Sequence, residues 1–180
     1  MHQNKIIGLV GYPGSGKSTL ISLLGKNGYN VFDNGRALRM FLDGTYSNYS
    51  LTEKIHNLTH SGSMLSHIIS EIEVAFKEGG RSIMFMDSFK TINDPKVLKK
   101  HFKKIHIQTL AVLCPYGTRQ ERVIKRARER DNAPVIQRDA ELKQLGIDSL
   151  IKSAEYRIET DCSFNEMHKR LKKLLTIMES

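Results

Sequence analysis

The sequence predicts an α/β fold in which a five-stranded parallel sheet carries helices on both faces. Two observations lead to this prediction: short apolar runs recur along the 180 residues, and segments with helical periodicity separate them. Strands that alternate with helices in this way form parallel sheets. The five predicted strands cover residues 5–10, 29–33, 82–87, 105–113 and 156–159.

The predicted helices lie near residues 17–26, 35–43, 52–79, 94–103, 117–130, 138–153 and 163–178. The helix over 52–79 is expected to break at Gly62. The sequence has no internal repeat, no low-complexity tract and no linker rich in Pro, Gly or Ser. A single domain over residues 1–180 is therefore expected.

Composition narrows the function classes. Hydrophobic residues make up 39% and charged residues 26%, which is typical of a globular domain. We expect no membrane span, because no apolar run reaches about 18 residues. The polar start is unlike a signal peptide, and the two cysteines lack metal-site spacing, so a cytoplasmic location is expected.

The net charge of +9 favours an anionic partner, whether a nucleotide, a nucleic acid or an acidic membrane surface. Five lysines alternate with apolar residues near the fourth predicted helix, and a solvated helix face is their simplest explanation. They are Lys96, Lys99, Lys100, Lys103 and Lys104. Charge alone does not identify the partner.

Residues 11–18 read G-Y-P-G-S-G-K-S and match the phosphate-binding motif G-x-x-x-x-G-K-[ST] in full. Its glycines let backbone N–H groups surround phosphates, its lysine neutralises β and γ oxygens, and its serine hydroxyl ligates Mg²⁺. An apolar strand precedes the motif and a helix follows it, as this site requires. We therefore expect ATP and Mg²⁺ as cofactors, bound by Gly11, Gly14, Ser15, Gly16, Lys17, Ser18 and Thr19.

Asp87 follows four apolar residues at the end of the third predicted strand. In phosphate-loop enzymes a carboxylate at such a strand end holds the metal ion. Asp87 is therefore predicted to act with Ser18 on Mg²⁺. The alternative is that Asp87 caps a turn or helix.

Four arginines fall on one stripe of the predicted helix after residue 117, at spacings of three, four and four. They are Arg119, Arg122, Arg126 and Arg130. Like charges at this spacing destabilise a helix unless an anion faces them. A transferring phosphoryl group is such an anion, and three of these arginines are therefore predicted to be catalytic. With the loop lysine and the acid of the third strand, the predicted catalytic residues are Lys17, Asp87, Arg122, Arg126 and Arg130. The alternative is a solvated face partly paired with Glu121, Glu129 and Asp131.

In its ordered landmarks the chain resembles the adenylate kinase and dephospho-CoA kinase branch of P-loop kinases, including archaeal uncharacterised adenylate-kinase-like proteins. The landmarks are the phosphate loop, residues 31–39, the strand ending at Asp87, the arginine-rich helix and a late segment over residues 138–158. The resemblance implies a three-layer P-loop NTPase fold with a short helical lid near residues 118–140.

The same resemblance bears on the phosphoryl acceptor. Nucleoside monophosphate kinases carry a G…R pattern after the second strand, and Gly35 and Arg39 match it. Dephospho-CoA kinases carry D-x-D there, whereas this chain reads Asp33-Asn34-Gly35. An anionic phosphate acceptor needs no base, so the missing second acid favours a nucleotide acceptor. Asp33 or Asp87 could still serve a hydroxyl acceptor.

The sequence thus predicts an ATP-dependent phosphotransferase acting on a nucleoside or deoxynucleoside monophosphate, with Asp33, Gly35 and Arg39 at the acceptor. One alternative is a dephospho-CoA-kinase-like or other hydroxyl kinase, including a kinase of nucleic acid ends. A regulatory module that binds nucleotide without transferring phosphate is another. The arginine stripe favours the kinases, because a sensor has little use for several arginines at a transferring phosphoryl group.

Overall fold

The computed structural model describes residues 4–32, 62–77, 81–126 and 134–180. Within these ranges it contains five strands and seven helices. The strands are β1 (Lys5–Val10), β2 (Asn30–Phe32), β3 (Ile83–Met86), β4 (His106–Leu113) and β5 (Tyr156–Glu159). The helices are α1 (Lys17–Lys26), α2 (Gly62–Lys77), α3 (Asn93–His101), α4 (Tyr116–Arg126), α5 (Val135–Gln144), α6 (Ile147–Ser153) and α7 (Phe164–Glu179).

The five strands form one sheet in the order β2-β3-β1-β4-β5, and every pairing is parallel. In the central strand β1, Ile7 lies opposite Phe85 of β3 on one side and Gln108 of β4 on the other. Parallel strands end at the same edge of a sheet. The loops that follow β1, β3, β4 and β5 therefore meet at one edge, and the predicted five-stranded parallel sheet is confirmed.

Two apolar layers cover the two faces of the sheet. Side chains alternate between the faces of a strand, and in β1 Ile6 and Val10 join one cluster while Ile7 and Leu9 join the other. The first cluster includes side chains from α2, α3, α5 and α6. The second takes its helical side chains from α1 and α7. Helices on both faces are thus confirmed.

Gly8 lies in the middle of β1, and the ring of Phe89 occupies the space beside it. A Cβ atom at Gly8 would lie 2.1 Å from Cε2 of Phe89, which is far too close. The amide of Phe89 also donates to the carbonyl oxygen of Leu9 at 2.8 Å. The chain leaving β3 is therefore fixed against β1.

The helix predicted over residues 138–153 is wrong in one respect, since two helices occupy this stretch. α5 ends at Gln144 and α6 begins at Ile147, with Gly146 between them at φ 84°. Residues with a side chain rarely adopt that backbone conformation, and it interrupts a right-handed helix. The predicted helix over 35–43, and residues 52–61 of the next one, lie outside the described residues.

All five lysines of the predicted solvated face are exposed, on α3 and just after it. Their exposure agrees with the simpler explanation given above. Among the residues that the structure describes, no helix combines the length and the apolar character needed to cross a membrane.

Candidate active site

The loop between β1 and α1 depends on glycines with two kinds of constraint. Gly14 and Gly16 have φ values of 80° and 92°, in the left-handed region that favours glycine. At Gly11 the constraint is space, because a Cβ there would lie 2.6 Å from the carbonyl oxygen of Val112. The helix α1 begins directly after this loop, so the positive end of its dipole faces the loop. The geometry suits a bound phosphate.

Lys17 is half-buried at the first position of α1. Its Nζ donates to the carbonyl oxygens of Gly11 at 2.5 Å and Tyr12 at 3.1 Å. Desolvation lowers the pKa of Lys17 to about 8, and the carboxylate of Asp87 partly opposes that shift. Three cations lower it further.

These cations are Lys90, Arg126 and Arg119, in decreasing order of effect on Lys17. Together with Lys17 they bring several positive charges to the loop, of which Arg119 is paired with Asp139. Asp87 is the carboxylate among the groups that shift the pKa of Lys17. Such a concentration of positive charge fits a polyanionic ligand.

Asp87 follows β3 directly and is half-buried, with its backbone N–H donating to the carbonyl oxygen of Phe32 at 2.9 Å. The next turn is capped by another acid: Asp94 accepts from the backbone N–H groups of Lys90 at 2.6 Å and Thr91 at 3.0 Å. Asp87 interacts electrostatically with Lys17 across the sheet edge.

The residues present fit a magnesium ion. The predicted ligands are the hydroxyl of Ser18, which is exposed at the start of α1, and the carboxylate of Asp87. Oxygen donors of these two kinds are what Mg²⁺ prefers, and Mg²⁺ usually keeps several waters besides one or two carboxylates. The metal role of this pair stays a prediction.

Arg119 is buried and forms an ion pair. Its guanidinium donates to both carboxylate oxygens of Asp139 in α5, at 3.0 and 2.6 Å. It also donates to the carbonyl oxygen of Pro13 at 3.1 Å and lies over the rings of Tyr12 and Tyr116. The partner of Arg119 is thus Asp139, an acid that the sequence analysis did not name for the stripe.

Arg122 contacts the segment after β5. Its Nη2 donates to the carbonyl oxygen of Thr160 at 2.7 Å, and its Nη1 lies 3.2 Å from Thr160 Oγ1 and 3.4 Å from Cys114 Sγ. Arg126 is half-buried and acts on the pKa of Lys17. Arg130 lies outside the described residues. The catalytic role of these arginines stays a prediction. Arg126 fits that role best, because it interacts electrostatically with Lys17.

Two residues of the site were missed by sequence reasoning. Lys90, three residues after Asp87, interacts electrostatically with Lys17, and its position just after a strand end was the available signal. Thr160 is buried, and its Oγ1 donates to the carbonyl oxygen of Ser15 at 2.7 Å. No local pattern marks Thr160, because its partner lies 145 residues earlier.

Tyr12, inside the loop, donates its hydroxyl to Asp148 of α6. Burial and this carboxylate raise the pKa of Tyr12 far above its usual value. The hydroxyl is therefore protonated at physiological pH and able to donate to Asp148. The predicted acceptor residues Asp33, Gly35 and Arg39 lie outside the described residues.

Comparison with known proteins agrees with this geometry. No protein-family model matches the chain. A UPF0200 protein of Sulfurisphaera tokodaii is 27% identical over 183 residues, covering 95% of this chain and 96% of that protein. The crystal structure of TT1252 from Thermus thermophilus superposes with a TM-score of 0.66 at 20% identity, over 99% of this chain and all of the other.

The dephospho-CoA kinase from Campylobacter jejuni superposes with a TM-score of 0.60 at 16% identity, over 99% of this chain and 98% of that enzyme. The chain has the fold of the P-loop kinases. The resemblance expected from the sequence, to P-loop kinases and to a set of archaeal proteins, is thus confirmed. At these identities the P-loop kinase fold is shared, whereas the reaction must be argued from the site.

Proposed function

We propose that the protein is an ATP-dependent phosphotransferase that moves the γ-phosphoryl group to a nucleoside or deoxynucleoside monophosphate. The observation that carries this proposal is the charge arrangement around Lys17. One carboxylate, Asp87, and the cations Lys90 and Arg126 all act on Lys17 at the mouth of a glycine loop. These charges support phosphoryl transfer, because fixed charges around a transferring phosphoryl group stabilise its transition state.

Each residue has a distinct task in the transfer. The N–H groups of the loop and Lys17 would hold the β- and γ-phosphates. Ser18 and Asp87 would hold Mg²⁺, which supplies neutralisation of phosphate charge when bound. Arg126 would meet the charge that spreads over the oxygens of the transferring group, where a fixed cation contributes most.

The proposed acceptor rests on the sequence after β2 and on one residue found in the structure. Gly35 and Arg39 fit a site that holds a monophosphate, and Asp33 precedes them. Lys90 adds a cation on the loop after β3, next to β2 in the sheet. A monophosphate is already anionic, so it attacks without a base. Positive groups that orient it are then sufficient.

A hydroxyl acceptor, such as dephospho-CoA, is the second candidate. The fold likeness to the dephospho-CoA kinase of Campylobacter jejuni favours it. In that case a carboxylate would have to accept the hydroxyl proton, and Asp87 is the acid near Lys17. An acceptor at a nucleic acid end belongs to the same chemical class.

The deciding experiment is a coupled assay of ADP release with Mg²⁺–ATP. The acceptors would be all nucleoside and deoxynucleoside monophosphates, dephospho-CoA, and DNA and RNA with free 5′ hydroxyls. We expect turnover with at least one monophosphate. The Lys17→Ala variant, purified identically, controls for contaminating kinases. Turnover on dephospho-CoA alone would replace the proposed acceptor, and ATP binding without any transfer would indicate a regulatory module.

A further inference from the structure

Two carbonyl groups of the phosphate loop are held from outside the loop. Pro13 and Ser15 each accept a hydrogen bond from a residue more than 100 positions away, Arg119 and Thr160 respectively. The peptide bonds of the described residues are trans, so in each peptide unit the C=O and the following N–H point in opposite directions. Fixing a carbonyl therefore fixes the direction of the next amide.

The amides concerned belong to the two glycines of the phosphate loop that have positive φ. The carbonyl of Pro13 shares its peptide plane with the N–H of Gly14, and the carbonyl of Ser15 with the N–H of Gly16. Glycine populates positive and negative φ about equally, so an isolated glycine peptide turns over easily. An external hydrogen bond selects one of the two orientations.

The holding groups are themselves fixed. Arg119 is held by both oxygens of Asp139, and its own backbone lies so close that a Cβ at Gly14 would be 2.5 Å from its carbonyl oxygen. Thr160 is 1% exposed and receives the guanidinium of Arg122. Rigid supports of this kind preorganise a binding site.

We infer that Arg119 and Thr160 are positioning residues for the phosphate loop, which turn the amides of Gly14 and Gly16 toward the phosphates of the nucleotide. Neither acts on the reacting atoms. The inference rests on the proposed function in one respect, namely that the ligand of this loop is a nucleotide polyphosphate. In this inference Arg119 of α4 supports the phosphate loop and does not contact the transferring group.

The test is the affinity for ADP and for pyrophosphate, measured by calorimetry on full-length variants. Thr160→Val removes the hydroxyl donor and keeps the shape of the side chain. We expect affinity for both ligands to fall about fivefold, which corresponds to the typical contribution of about 1 kcal/mol from one hydrogen bond. Pyrophosphate is included because it has no base or sugar. A loss of affinity for pyrophosphate therefore reports on the phosphate loop alone.

Thr109→Val is the matched control. Thr109 is also buried, in the middle of β4, and its Oγ1 also donates a 2.7 Å hydrogen bond, to Glu155 just before β5. We expect this variant to lose thermal stability much as Thr160→Val does while keeping wild-type pyrophosphate affinity. Equal affinity losses in both variants would reduce Thr160 to a structural residue and overturn the inference.

A second variant tests Arg119 without leaving a buried charge unpaired. Arg119→Met combined with Asp139→Leu replaces the ion pair by apolar side chains, a change that folded proteins often tolerate. We expect about tenfold weaker pyrophosphate binding. Unchanged affinity in this variant and in Thr160→Val would overturn the inference while leaving the proposed function intact. If the wild-type chain binds neither ADP nor pyrophosphate, the proposed function itself fails.

Discussion

The ammonium group of Lys17 lies 2.5 Å from the carbonyl oxygen of Gly11, the first glycine of its own loop. A second carbonyl oxygen, that of Tyr12, lies 3.1 Å away. The same ammonium is expected to neutralise phosphate oxygens during transfer. An ammonium group has three N–H donors, so one donor of Lys17 is left for a phosphate oxygen, and charged acceptors form stronger hydrogen bonds than the two carbonyl groups do. Lys17 is therefore the most informative residue to alter.

Lys17→Ala should abolish phosphoryl transfer and leave the protein folded. The side chain contributes charge at the loop and little to either apolar layer. Turnover and the thermal midpoint should be measured on the same preparation. Lys26→Ala, at the exposed end of the same helix, is the matched control and should keep wild-type turnover. A Lys17→Ala protein that retains most of its activity would refute the assignment of this loop.

The affinity for ADP should depend on pH through Lys17. In the empty protein its pKa is about 8, and phosphate charge raises it on binding. Above pH 8 binding must then take up a proton, and affinity should fall up to about tenfold per pH unit. Below pH 7 Lys17 is already charged, so this dependence disappears.

Calorimetry in two buffers of different ionisation enthalpy measures the proton uptake directly. We expect uptake at pH 8.5 and almost none attributable to Lys17 at pH 7. Lys17→Arg, which stays charged throughout, should abolish the uptake at pH 8.5. Equal uptake in this variant would assign the proton to another group.

Asp87→Asn should lower turnover and weaken its dependence on Mg²⁺, with metal-free ADP binding nearly unchanged. The physical reason is that the amide retains the shape of the side chain and loses the negative charge that attracts the metal ion. Asp94→Asn is the control, because Asp94 accepts backbone hydrogen bonds in the neighbouring turn. It should lower the thermal midpoint without changing the Mg²⁺ dependence. If Asp87→Asn behaves in the same way as this control, Asp87 is structural.

Arg126→Ala should reduce kcat by at least about a hundredfold with little change in ATP affinity, because an arginine at a transferring phosphoryl group acts on the transition state. Arg126→Lys should recover only part of the loss, since lysine lacks the planar fork. Lys125→Ala changes an exposed neighbour on the same helix and should have less than a tenfold effect. Similar small effects at both positions would show that Arg126 has no role in phosphoryl transfer.

Arg39→Ala should raise the acceptor KM far more than the ATP KM, if Arg39 holds the acceptor phosphate. Steady-state kinetics with the best monophosphate from the acceptor screen provide the measurement. Arg36→Ala removes a neighbouring arginine of the same segment and serves as the control. An unchanged acceptor KM in Arg39→Ala would transfer the role to another cation, with Lys90 the first to test.

The phosphate loop and the sheet could be predicted because their signals are local. The motif fits into eight consecutive residues, and each strand is a short apolar run. The break at Gly146 was also present in the sequence, but the helical periodicity on both sides of the glycine obscured it. A glycine in a helical pattern is compatible with either continuation or a break, and only the observed φ of 84° distinguishes them.

The supports of the site could not be predicted because they join distant residues. Arg119 shares a helical stripe with three other arginines, and nothing in that stripe reveals that Asp139 of another helix pairs with it. The partner of Thr160 lies 145 residues away in sequence. Sequence periodicity states which face of a helix a residue occupies, whereas the fold decides what stands opposite that face.

The contact between Gly8 and Phe89 has a consequence for how this chain can vary. The glycine lies three residues before the phosphate loop, and the aromatic ring lies two residues after Asp87. Any side chain at position 8 would displace the ring and with it the carboxylate. A smaller residue at 89 would leave a void in the middle of the sheet. Positions 8 and 89 are therefore expected to covary in evolution. A substitution at only one of them would disturb the alignment of Lys17 with Asp87.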